Sequence, residues 1–155
     1  MKMDGQIRVR TKKEHGQLYN DLKGIACTDF HELFFVCACL GYKNGAKKPL
    51  GKSGEERFWS RTITPPEWSC FYAMLLRDTL PNMDYSVVKD DKEVLSQIEQ
   101  YANAGIEILA EKFLGDYLVK NTREPRLDPT TADELTKSFL YFVWDQAELE
   151  YGSPL

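Results

Sequence analysis

An all-α fold, a compact bundle of about five helices, is the architecture this sequence predicts. Three observations carry it. Residues 30–40 form an almost unbroken apolar run that a helix buries on all sides. Thr64-Pro65-Pro66-Glu67 places a capping residue, a proline at the first helical position and a glutamate at the third, followed by apolar residues at helical spacing. A stripe of Val94, Ile98, Tyr101, Gly105 and Leu109, stepping by three or four residues and extended by Ala102, Ile106 and Phe113, then spans twenty positions.

Taken in order, residues 1–11 read as an extended arm. Gln6-Ile7-Arg8-Val9-Arg10 alternates polar and apolar side chains as an edge strand does, with no convincing strand elsewhere to pair with it. It either adds to a partner's sheet or lies along the surface, where Arg8 and Arg10 offer an arm contact. A short amphipathic helix is expected over 12–22, with Leu18, Tyr19 and Leu22 on one side and Gly24 ending it. The central helix starts at Thr28 or Asp29, where Asp29 and Glu32 fit a capping box, and Gly41 stops it. The third helix carries Trp68, Phe71, Tyr72, Leu75 and Leu76 and ends before Pro81. The fourth runs from about Asp90 to Leu114, with Gly115 as its cap. Gly105 sits inside it, at a cost of up to about 1 kcal/mol against alanine that close packing on a neighbouring helix explains. Residues 121–129 form a connection. Thr131-Ala132-Asp133-Glu134 reads as another capping box, opening a last helix whose apolar content is Leu135, Phe139, Leu140, Phe142, Val143 and Trp144. Residues 147–155 read as a short flexible tail, and the whole chain as one helical domain.

Composition narrows the setting. The longest near-apolar run, about a dozen residues, is too short to span a membrane. No apolar segment follows the N-terminal residues in the manner of a signal peptide, and four cysteines lack a disulfide-framework spacing. A cytoplasmic protein with reduced thiols is expected. Net charge is −4, unevenly spread: residues 1–61 carry twelve Lys/Arg against seven Asp/Glu, and residues 62–155 carry eight against seventeen. The basic half suits an acidic partner, nucleic acid included; the plainer reading is a solvated surface.

No catalytic set emerges. Gly51-Lys52-Ser53 is a near miss to a phosphate-binding loop, but five residues rather than four separate it from Gly45, and the element before it is a helix. Cys37 and Cys39 face different ways on a helix, and Cys27 with His31 lacks a second pair of ligands, so no metal, cofactor or catalytic residue is assigned. The better candidate is the glycine- and lysine-rich loop after the central helix. Lys43, Lys47, Lys48, Lys52 and Arg57 stand there among glycines whose backbone admits close approach, bracketed by Tyr42, Phe58 and Trp59. It reads as a contact to nucleic-acid backbone or an acidic protein surface, or else as a connection kept soluble by lysine.

Two segments add a resemblance. Gly41-Tyr42-Lys43-Asn44-Gly45 with Pro49-Leu50 and the Lys52–Glu55 region, and Tyr101-Ala102-Asn103-Ala104-Gly105-Ile106-Glu107-Ile108-Leu109, resemble the Dnd system-associated (DNA phosphorothioation-associated) protein 4 family of bacterial antiphage defence. The resemblance covers roughly residues 26–114. It implies a non-catalytic accessory subunit of a DNA-modification and restriction system, whose partners are other defence subunits and DNA. The alternatives are a structural subunit of an SMC-like ATPase or nuclease complex, anchored by Trp59, Trp68 or Trp144, and a small enzyme of unknown reaction.

Overall fold

The computed structural model describes residues 5–151, with side chains through residue 146. The elements in order are β1 (Arg8–Lys12), α1 (Gly16–Leu22), α2 (Phe30–Lys43), β2 (Gly54–Trp59), α3 (Pro65–Arg77), α4 (Asp91–Lys112) and α5 (Ala132–Tyr151). Five helices are present as expected, but the fold is mostly α rather than purely α. The arm finds its partner inside the chain: β1 pairs antiparallel with β2, a segment within the stretch expected to be a basic loop. Of the tail expected from residue 147, the backbone is helical through Tyr151 and the remainder lies outside the described residues, as do residues 1–4 of the arm.

The centre of the molecule is the crossing of α2 and α4. A Cβ on Gly105 would stand 1.7 Å from the carbonyl oxygen of Cys37, and one on Gly41 would stand 2.0 Å from that of Tyr101. Two glycines, one on each helix, therefore let the backbones touch. Gly105 has the packing role expected of it. Gly41 does not end α2, which continues to Lys43; Gly45, at φ 63°, makes the turn beyond. Around this crossing Phe34, Cys37, Ile98, Ile106 and Leu109 are buried, and α3 adds Trp68 and Phe71. Trp68 is thus core and offers no anchor to a partner.

Local signals were right for the start of α3 and of α4. Thr64 and Glu67 form the reciprocal capping box, and Asp90 caps α4 through the Lys92 amide at 3.0 Å. At α2 the expected capping box is not made: Asp29 occupies the cap position, but its side chain accepts no capping bond. At α5 the box is displaced upstream. Asp128 accepts from the Thr130 amide at 3.0 Å, Thr131 donates its hydroxyl to the Asp128 carbonyl, and a 3-10 turn leads into the helix. Gly115 opens a 3-10 turn rather than capping α4. The last helix packs Leu135, Phe139 and Phe142 inward, with the Phe142 ring stacked on Phe113 at 4.9 Å. Of the apolar content expected of this helix, Leu140, Val143 and Trp144 are exposed, Trp144 as its role of candidate anchor requires.

The ribbon lies on α4 by its inner face. Val9 and Phe58 are buried, Phe58 meets Phe34 edge-on at 5.3 Å, and the Arg10 amide donates to Glu99 Oε2 at 2.6 Å. Burial raises the Glu99 carboxyl from 4.5 to about 7 against the opposing pull of the Arg10 amide and charge. The folded chain therefore holds this proton more tightly than the unfolded chain between those values. Its contribution to stability is present at low pH and is lost as pH rises from about 4.5 through 7. Glu99→Gln keeps an oxygen for the Arg10 amide and has nothing to ionise. We expect it to match the wild type near pH 4.5 and to exceed it at pH 8 by on the order of 1 kcal/mol, read as urea midpoints. Identical midpoints at both pH values would remove the effect.

Candidate nucleic-acid interface

The cationic residues singled out in the sequence divide into an inward set and an outward set, and the irregularity of the ribbon does the dividing. Arg8 pairs with Trp59 and Val9 with Phe58, but Arg10 pairs with Glu56, so Arg57 is an extra residue in β2. Such a bulge re-aims one side chain. The Arg57 guanidinium turns beneath the ribbon, 7% exposed. There it donates from Nε to Thr11 Oγ1 at 3.0 Å and lies 5.6 Å from the centre of the Tyr19 ring. Its Nη2 stands 3.6 Å from a Glu55 oxygen, close enough for ion pairing and too far for a hydrogen bond, so that nitrogen has no hydrogen-bond partner among the described residues.

The loop between α2 and β2 is docked rather than free. The Lys48 amide donates to the Gln100 carbonyl at 3.0 Å, and Asn103 Nδ2 donates to the Lys48 carbonyl at 3.0 Å. Lys48 pairs with Glu107, and Lys47 donates to Gln97 while its ammonium lies 4.9 Å over the Tyr101 ring. Lys43 donates to the Gln146 carbonyl at 2.6 Å, joining α2 to α5. Tyr42 packs edge-on to Tyr101 at 5.4 Å, and both hydroxyls donate to Asp78, at 3.4 and 2.9 Å. Lys52 is exposed on the turn ahead of β2.

What remains outward is a compact aromatic and cationic group on the ribbon. Trp59 is 36% exposed, with the guanidinium of Arg8 4.5 Å and that of Arg61 5.5 Å from its ring centre. Arg8 is held by Glu56 at 3.3 Å, and Arg10 reaches the Gly54 carbonyl at 2.7 Å. Each arginine keeps donors beyond these contacts, since a guanidinium carries five N–H groups. Of the residues singled out, the strand pairing brings Arg8 and Arg10 of the arm beside Trp59, whereas Tyr42, Lys43, Lys47, Lys48 and Arg57 are engaged elsewhere. Arg61 was not singled out in the sequence; its signal was its position two residues after Trp59, visible only once Trp59 is known to end a strand.

Other clusters bear on chemistry. Glu14, His15 and Glu107 bring ligand-type atoms within 4.8 Å of one another, but Lys12 and Lys48 already neutralise the two carboxylates. Buried His15 has its pKa lowered chiefly by desolvation, so it is held neutral. Asp29, His31 and Glu32 form a second such group at the start of α2, where His31 Nδ1 donates to the Glu67 carboxylate at 3.0 Å. Cys27 stands outside both groups, and burial pushes its thiol up to about 12, far from thiolate chemistry at neutral pH. A surface groove between α2 and α3 is lined by Cys39, Tyr42, Lys43, Cys70, Met74 and Arg77, with no histidine or carboxylate among these residues. Among the described residues no helix is long and apolar enough to cross a membrane.

No family model, curated protein or solved structure matches the chain.

Proposed function

We propose that this protein is a non-catalytic accessory subunit of a bacterial DNA-modification and restriction defence system, and that it meets the DNA backbone through the outer face of its ribbon. The setting comes from the resemblance of the 41–50 and 101–109 segments to the DNA phosphorothioation-associated protein 4 family. The mode of contact rests on one observation: a half-exposed Trp59 flanked by Arg8 and Arg61. Guanidiniums engage phosphate oxygens with paired donors, and an indole beside them offers a face for an exposed base or sugar. The basic half of the chain supplies the attraction at a distance.

Fluorescence anisotropy on a labelled duplex, at about 50 mM salt and upward, tests the contact. Arg8→Ala with Arg61→Ala should weaken binding by about tenfold or more and flatten the slope of log affinity against log salt by roughly two. Lys47, Lys48 and Lys52 all changed to alanine should do less, because Lys47 and Lys48 already serve α4. Salt-insensitive binding, or a double-arginine variant that binds like the wild type, sinks the reading. A second reading, a structural subunit docking on an SMC-like ATPase or nuclease, is favoured by the exposed Trp144 on α5.

A further inference from the structure

We infer that the outer face of α5 is a docking site for a basic amphipathic helix of a partner protein. The helix is 20 residues long, about 30 Å, and only one side of it is used internally by Leu135, Phe139 and Phe142. The opposite side steps through Asp133, Lys137, Tyr141 and Trp144 at intervals of three and four, with Leu140 beside them. Leu140 is 65% exposed, Tyr141 71% and Trp144 56%, so three large apolar side chains stand together in water on one helix. Burying such side chains is the main source of affinity at helix-in-groove contacts, and tryptophan and tyrosine dominate them.

Charge selects the occupant. In sequence, α5 carries five carboxylates, Asp133, Glu134, Asp145, Glu148 and Glu150, against the single Lys137. A second copy laid along the same face would set acid against acid. An anionic bilayer or a nucleic acid meets the same repulsion. A helix with leucines or isoleucines in a stripe and lysines or arginines on its flanks satisfies both features: its apolar stripe covers Leu140, Tyr141 and Trp144, and its cations face the carboxylate rim and the two aromatic rings. Residues 62–155, with eight cations against seventeen acids, extend that preference beyond the helix. The surface is separate from the ribbon that the DNA reading uses, and it requires only that the protein works in a complex.

The probe is a labelled 18-residue synthetic helix with a leucine stripe and arginine flanks. Its controls are a scramble of the same composition and a twin with glutamate flanks. We expect saturable binding of the striped basic peptide that falls at least tenfold in a Leu140→Ser, Tyr141→Ser, Trp144→Ser variant. These side chains are exposed, so that variant should keep the wild-type circular dichroism and melting temperature. Equal binding of the scramble would reduce the effect to general charge attraction and overturn the inference, as would equal binding of the acidic twin. Sedimentation showing a wild-type dimer that the triple variant dissociates would assign the face to a second copy instead. Flotation with anionic vesicles, lost in the same variant, would assign it to lipid; either result removes the peptide-docking role. Duplex affinity read in parallel stays at the wild-type level in the triple variant, so failure here and failure of the ribbon reading are told apart.

Discussion

Gly105→Ala is expected to lower stability by about 3 kcal/mol or more. Two terms compete at that position. Helix propensity favours alanine over glycine by about 1 kcal/mol. Against it, the new Cβ would lie 1.7 Å from the Cys37 carbonyl oxygen and 2.5 Å from its carbon, both backbone atoms of α2. A side chain can rotate away from a clash; a helix backbone can only separate from its neighbour, opening the core around Phe34, Ile98 and Ile106. Packing wins over propensity for that reason. Gly41→Ala should behave alike, with the Tyr101 carbonyl 2.0 Å away, whereas Gly115→Ala, with nothing within 4 Å and no positive φ, should change the urea midpoint little. A Gly105→Ala variant as stable as the wild type would show that the two helices do not cross here.

Arg57→Ala is the second large effect, a loss of about 3 kcal/mol. A residue that the sequence offers as a surface contact is, in the fold, a cation sealed beneath a two-stranded ribbon. Truncation removes its stem from Tyr19, its hydrogen bond to Thr11 and the partner of Glu55 together. Arg57→Met retains the apolar stem and deletes a charge whose Nη2 already lacks a hydrogen-bond partner, so it should lose clearly less than alanine. Urea midpoints order the three proteins; equal midpoints for alanine and wild type would return Arg57 to the surface. Measured under conditions where the variants are folded, duplex affinity should follow Arg8 and Arg61 and be indifferent to Arg57.

These two residues also show why the sequence was legible in one place and misleading in another. Gly105 lies in a long helix whose period is plain from Val94 to Phe113, and a glycine in such a setting has few physical explanations beyond close approach. Arg57 lies in Gly54-Glu55-Glu56-Arg57-Phe58-Trp59, where the bulge breaks the alternation that marks a strand and Phe58 is the one buried apolar residue. Nothing local identifies that stretch as the partner of the arm. The α5 face illustrates the converse: residue type marks Leu140, Val143 and Trp144 as apolar content of the helix without saying which are buried, and a helix at the rim of a domain has only one side to bury. The resembling segments 41–45 and 101–109 turn out to hold the two glycines of the helix crossing and Asn103, which pins the loop.

Helix number and order, the capping box of α3 and the start of α4 at Asp90 follow from the sequence alone, because each depends on spacing within a few residues of chain. The pairing of β1 with β2, the division of the cations into buried Arg57, docked Lys47 and Lys48, and outward Arg8 and Arg61, and the bare face of α5 were decided only by tertiary structure. Each of those depends on what a distant segment presents across the contact, and a local pattern of residues carries no record of its neighbour in space.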